Sequence, residues 1–336
     1  MPVRRLFMTC VDVLPRPSVR VQRIIAAAVV LTQGGIAVTG AIVRVTASGL
    51  GCPTWPQCFP GSFVPVPHAE VPGIHQAVEF GNRLLTFLVV FTAAAAVLTV
   101  LRARRRREVL VYAWLMPAST VLQAVIGGIT VLTGLLWWTV AIHLLASMLM
   151  VWVAVQLFVK IGEPDEAGPS TLVVPRPLRL LTALIGVVLS AVLVTGTMVT
   201  GAGPHAGDKS VTRPVPRLEV EITTLVHMHS SLLVAYLSMV VALGFALLAV
   251  RAPRDVVRRL GVLAILVLAQ GMVGTVQFFT GVPEALVAIH VAGAAACTAA
   301  TSALWAAMRQ RPPLPSAEAP VAASAAQRAE AEPVQR

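Results

Sequence analysis

Four side chains at one depth in a very apolar chain point to chemistry. His143 closes the pattern Gln123-Ala-Val-Ile-Gly127, Thr133-Gly134, Ala141-Ile142-His143. His290 closes a second copy, Gln270-Gly-Met-Val-Gly274, Thr280-Gly281, Ala288-Ile289-His290, and every pair is offset by 147 residues. The same offset carries Asn82 onto His229. Ionisable groups within lipid-spanning runs are costly and mark function. At 1.5 Å per residue all four positions lie roughly 10 Å below one rim of their runs. Imidazoles at matched height on facing helices suit axial ligation of heme inside a bundle. His229 and His290 meet that requirement together, and the small residues Ala292, Gly293, Ala294, Ala295 and Ala296 leave room for a flat macrocycle.

The first copy pairs His143 with Asn82, a poor heme ligand. His75 shares the helix face of Asn82 but sits seven residues earlier, about 10 Å higher, and does not replace it. One axial ligand and an open or weakly held sixth position are therefore expected there. Glu79 stands three residues before Asn82, on the same face. A buried carboxylate beside an open iron position can accept or relay a proton. Its competing use is an i,i+4 pair with Arg83, which could instead meet a heme propionate. His227 points roughly 200° away from His229 and is read as no ligand. His68 and His205 fall in outer loops and are expected to be solvated.

Cys52 and Cys58 lie in Gly51-Cys52-Pro53-Thr54-Trp55-Pro56-Gln57-Cys58. Outside a membrane a disulfide is permitted. The short separation, stiffened by two prolines and Trp55, favours one over free thiols. Cys10 and Cys297 are read as reduced and silent. No CxxC, HExxH or carboxylate cluster points to another metal, and no glycine-rich phosphate loop is present.

The elements that must position these groups are membrane helices. Of the 336 residues, 57% are hydrophobic and 12% charged, against about 25% charged in soluble domains. A soluble enzyme could not hide that much apolar surface. Apolar runs fall near 22–43, 74–101, 109–133, 137–159, 178–201, 222–250, 259–280 and 284–308, each near or above the ~20 residues a span needs. They are too long and continuous for a β-barrel. The net charge of +11 is confined to clusters between runs, which is how topology is written, and no nucleic-acid-binding element accompanies it. Of 26 Lys and Arg, 21 lie on the side of both termini, so the termini are expected in the cytoplasm of a multi-pass cell-membrane protein.

The repeat predicts two four-helix halves of like orientation about a pseudo-twofold axis along the membrane normal. The organisation expected is a basic leader (1–21), a first half (22–160), a cytoplasmic connection (161–177), a second half (178–308) and a disordered tail (309–336). The first run reads as a retained helix and not a signal peptide, because a small-residue cleavage site is missing. A repeat-built transporter would break its helices at the midplane, whereas these polar groups cluster toward the outer rim.

With these residues in view, the chain resembles the heme A synthases. Thr39-Gly40 and the stretch from Arg44 to Cys58 resemble that family's first-helix and outer-loop signature. Glu79-Phe80-Gly81-Asn82-Arg83 is similar to its Glu-x-x-His-Arg element, and His143, His229 and His290 fall at its other heme histidines. The resemblance covers about residues 20 to 308. It implies oxidation of the C8 methyl of heme O to a formyl group by successive hydroxylations, through an alcohol and a gem-diol. It implies a heme b cofactor on His229 and His290, and a substrate half served by His143 and Glu79. The cysteine pair matches the family's outer-loop pair. Partners implied are an electron acceptor, a heme O synthase and cytochrome oxidase assembly factors. The sequence departs from the family at Asn82, where a histidine is usual, and at Ser230, where an arginine often follows. The competing reading is a b-type cytochrome subunit that only transfers electrons. It would need matched ligand pairs in both halves, and Asn82 argues against it.

Overall fold

The computed structural model describes residues 8–9, 11–209 and 214–312. Cys10 and the tail from 313 lie outside the described residues. The described chain is helical apart from its connections, the longest being residues 46–72, and one two-residue strand pair. Eight helices are long and apolar enough to cross a membrane, and the chain is a multi-pass membrane protein. They are α1 (Val19–Val45), α2 (Gly73–Arg102), α3 (Arg107–Leu132), α4 (Trp137–Gly162), α5 (Arg176–Ala202), α6 (Ile222–Ala249), α7 (Arg254–Phe279) and α8 (Glu284–Ala307). Large apolar side chains such as Phe87, Phe91, Phe245 and Phe279 stay exposed along them. In lipid that exposure is favourable, and helices satisfy their own backbone groups.

Local chemistry sets the helix starts. Prolines immediately precede α2, α7 and α8, and the Ser18 hydroxyl accepts from the Val21 amide at the start of α1. Glu221 caps α6, the helix that carries His229, by accepting from the Thr224 amide at 2.8 Å. Hydrogen bonds from Thr223 and Thr224 hold the Glu221 carboxyl down at about 2.

The repeat in the sequence returns as a repeat in the turns. Gly134 and Leu135 join α3 to α4 in left-handed conformations, and Gly281 and Val282 do the same between α7 and α8. Arg104, after α2, and Arg251, after α6, are left-handed too. All are pairs at the 147-residue offset. Left-handed backbone is rare for any residue but glycine, so these turns are specified, not incidental.

Each half closes as a ring: α1 on α2 and α4, with α3 between them, and α5 on α6 and α8, with α7 between them. The halves meet through α1 and α4 on α8 and through α4 on α5. The Gln156 amide of α4 donates to the Ser302 carbonyl (3.0 Å) and hydroxyl (2.9 Å) of α8 across that seam. Two apolar clusters fill one end of the bundle, around Ala93, Val97, Met116 and Leu157 in the first half and Leu243, Leu247, Leu263 and Leu304 in the second. That end is closed by ion pairs among connections and helix ends, including Arg105 with Asp165 (2.7 Å) and Lys160 with Glu108 (3.0 Å). There the antiparallel pair Thr171–Leu172 and Arg309–Gln310 ties the α4–α5 connection to the end of α8. Arg309 and Gln310, expected to open a disordered tail, are therefore ordered. The opposite end holds His143, His229, His290, Glu79 and Arg83.

Candidate functional site

In the second half the imidazoles of His229 (α6) and His290 (α8) face each other with ring centres 6.3 Å apart and planes at 64°. The Nδ1 of His229 lies 3.0 Å from the Val192 carbonyl and 3.1 Å from the Thr195 hydroxyl, both on α5. A carbonyl only accepts, so that bond puts the proton on Nδ1 and leaves the Nε2 lone pair for a ligand. The buried Nδ1 of His290 has no hydrogen-bond partner.

Each imidazole rests on a glycine of the preceding helix. A Cβ at Gly196 would lie 3.1 Å from Cε1 of His229, and one at Gly274 would lie 3.3 Å from Cε1 of His290. In the first half a Cβ at Gly127 would lie 3.4 Å from Cε1 and Nε2 of His143. The glycines that recur in the sequence are therefore seats that let a ring lie against backbone. Gly40 is the fourth seat by position, and nothing lies within 4 Å of its Cβ direction. Its partner on α2 is Asn82, whose shorter side chain leaves it open. The Thr39 hydroxyl donates to Asn82 Oδ1 at 2.7 Å, as Thr195 contacts His229. The threonine and glycine are kept in both halves, and the imidazole is missing from one. His143, like His290, has a buried Nδ1 with no partner.

Glu79 is buried and pairs with Arg83, Nε to Oε1 at 3.1 Å. The rest of the Arg83 guanidinium is engaged by the outer loop. It donates to the carbonyls of Cys52 (2.9 Å), Thr54 (3.1 Å) and Gln57 (3.3 Å). Cys52 and Cys58 are joined as a disulfide and are fully buried. The Nδ1 of His75 lies 3.0 Å from the Ser48 hydroxyl.

His227 is exposed, turned away from the bundle interior. His68 is exposed and stacks on Phe59 at 5.2 Å. His205, expected to be solvated, instead bonds the Val282 carbonyl at 2.8 Å and so pins its loop to the α7–α8 turn. Its own carbonyl accepts from Nε of Arg44 at 3.0 Å. Arg44 and Arg217 both donate to the Thr200 carbonyl near the end of α5. Burial pushes the Arg217 guanidinium down from its ordinary value. These two arginines cap a helix end, where cations are favoured. Sequence reasoning missed that role, because the partners are backbone carbonyls that carry no residue signature. Among the described residues, no group of three His, Cys, Asp or Glu forms a conventional metal cluster. The paired imidazoles therefore stand as the candidate centre.

A family model for COX15-CtaA, described as cytochrome oxidase assembly protein, matches residues 23–301. A protein named Heme A synthase from Geobacillus kaustophilus (strain HTA426) is 37% identical over 98 residues, 29% of this chain and 29% of its own length. One of the same name from Geobacillus thermodenitrificans is 35% identical over 98 residues, again 29% of each chain. A third, from Lysinibacillus sphaericus (strain C3-41), is 32% identical over 113 residues, 33% of this chain and 36% of its own. The chain thus matches about a third of the length of these relatives.

Proposed function

The chain belongs to the COX15-CtaA family of cytochrome oxidase assembly proteins, and from that premise we propose that it is a heme A synthase, an oxidoreductase that converts the C8 methyl of heme O to a formyl group. The observation that carries the reading is the imidazole pair. Rings on opposite sides of one metal ion, each with a bond of about 2.0 Å, have centres about 6 Å apart, and His229 and His290 stand at 6.3 Å. The Nδ1 contact of His229 leaves the correct nitrogen free, and the orphaned Nδ1 of His290 marks a ring whose environment is incomplete. The donor set fits heme b. When bound there, heme supplies one-electron transfer.

In the first half the chain's own residues have different work. His143 holds heme O from one side. Asn82, tied down by Thr39, leaves the other side without a strong ligand. Glu79 takes the proton released as the methyl is oxidised, and Arg83 orients that carboxylate. Turning a methyl into a formyl group adds an oxygen atom and removes electrons, so a source of that oxygen and an electron acceptor, both beyond these residues, are required. The substrate half is residues 22–160 and the heme b half 178–308, related by a pseudo-twofold axis along the membrane normal. The basic leader (1–21), the connection (161–177) and the tail (309–336) lie on the cytoplasmic side of the cell membrane. Heme O synthase and oxidase assembly factors are the partners on this reading.

The test is pigment analysis. Membranes supplied with heme O and this chain are expected to accumulate heme A. Recovery of unmodified heme O beside bound heme b would favour the electron-transferring cytochrome instead.

A further inference from the structure

The outer loop that carries the disulfide docks on the first half at three points. Gly51 lies so close to the His75 carbonyl that no Cβ fits between them. Trp55 lies over Gly128 of α3, where a Cβ would come within 2.6 Å of the indole. Arg83 of α2 binds three loop carbonyls while its Nε holds Glu79. Gly128 directly follows Gly127, the seat of His143. The loop therefore bridges α2 and α3 above the side chains of the first half.

Three residues of this device are replaced in the second half. At the 147-residue offset Arg83 becomes Ser230, Glu79 becomes Val226 and Gly128 becomes Thr275. Among the described residues, the Ser230 and Thr275 hydroxyls donate to backbone carbonyls of their own helices. Because the imidazole seats are kept and these three positions are not, the device is specific to one half and is not a demand of the helical scaffold.

We propose that Arg83 is a positioning residue that clamps the disulfide loop over the first half and couples the loop's docking to the Glu79 carboxylate. This rests on the reading of Glu79 as the proton-handling group. A single guanidinium holding both partners makes the coupling reciprocal. Whatever frees the loop alters the orientation of Glu79, and whatever removes Glu79 loosens the loop.

The loop state can be read without catalysis, by the rate at which dithiothreitol reduces Cys52–Cys58 in the purified full chain. The S–S bond breaks and takes up two electrons and two protons, and the reagent's two thiols close to its cyclic disulfide. Alkylation and mass measurement count the thiols. Arg83→Lys keeps the charge but not the fork, and is expected to speed reduction by about tenfold. Gly128→Thr, which installs the second half's residue and displaces Trp55, is expected to do the same through a different contact. Glu79→Gln is expected to speed it about threefold. Ser230→Ala is expected to leave the rate unchanged. Equal rates in wild type, Arg83→Lys and Gly128→Thr would overturn the clamp.

Conversion of heme O separates the coupling from the reading beneath it. The double variant Cys52→Ser, Cys58→Ser is expected to lower kcat about tenfold with heme content intact. If Glu79→Gln abolishes conversion while the serine variant converts at the wild-type rate, the coupling is wrong and the role of Glu79 stands. If Glu79→Gln converts normally, the role of Glu79 falls, and the coupling with it.

Discussion

In the second half an imidazole from α6 meets one from α8 across 6.3 Å. In the first, Asn82 occupies the α6-equivalent place and Gly40 faces open space. Around that difference the surroundings change in step. The half with two imidazoles has Val226, Ser230 and Thr275; the half with one has Glu79, Arg83, Gly128 and a docked disulfide loop. The glycine seats recur in both halves, and what stands beside them differs. Two strong ligands saturate an iron and suit electron transfer, whereas one ligand with a nearby carboxylate suits chemistry on the bound molecule. The division of labour proposed above follows from this contrast.

Substitutions that make the halves more alike should erode it by graded amounts. The largest effect is expected from Glu79→Gln, which gives the first half the second's lack of a carboxylate. Conversion should fall by about 100-fold or more, with heme content unchanged, as measured by pigment extraction. Asn82→His comes next. It supplies the missing imidazole, and the space at Gly40 can receive it. Conversion should fall about tenfold as the open position closes, and the optical spectrum should gain a second two-imidazole component. Gly196→Ala should be milder, because its methyl would meet His229 Cε1 at 3.1 Å, a tight contact that a shift of the ring by a few tenths of an ångström relieves. Heme occupancy of the second half should drop about fivefold. Gly40→Ala is the smallest. With nothing within 4 Å, it should shift thermal stability by less than about 0.5 kcal/mol and leave heme content alone. A large loss in Gly40→Ala would show that the first-half seat is occupied after all.

Much of this was legible in the sequence, for identifiable reasons. Eight spans were readable because lipid exposure forces long apolar runs, and the helix ends agree to within a few residues, as at 74–101 against Gly73–Arg102. The pairing of His229 with His290 was readable because a helix fixes depth by counting. The Glu79–Arg83 pair was readable from its i,i+4 spacing. The second partner of Arg83 was not readable, since it consists of loop carbonyls that any residue could present. The seats at Gly127, Gly196 and Gly274 were visible as recurring letters, yet their purpose required seeing which ring lies against which backbone. His205 was misjudged for a similar reason: its partner is the carbonyl of a strained turn 77 residues away.

The central claim is that one iron sits between His229 and His290. Low-temperature electron paramagnetic resonance of the purified oxidised protein tests it most directly, comparing wild type with His290→Ala. A low-spin signal of two-imidazole heme is expected in wild type, and it should vanish in the variant while His143-dependent pigment persists. An unchanged low-spin signal in His290→Ala would contradict the assignment.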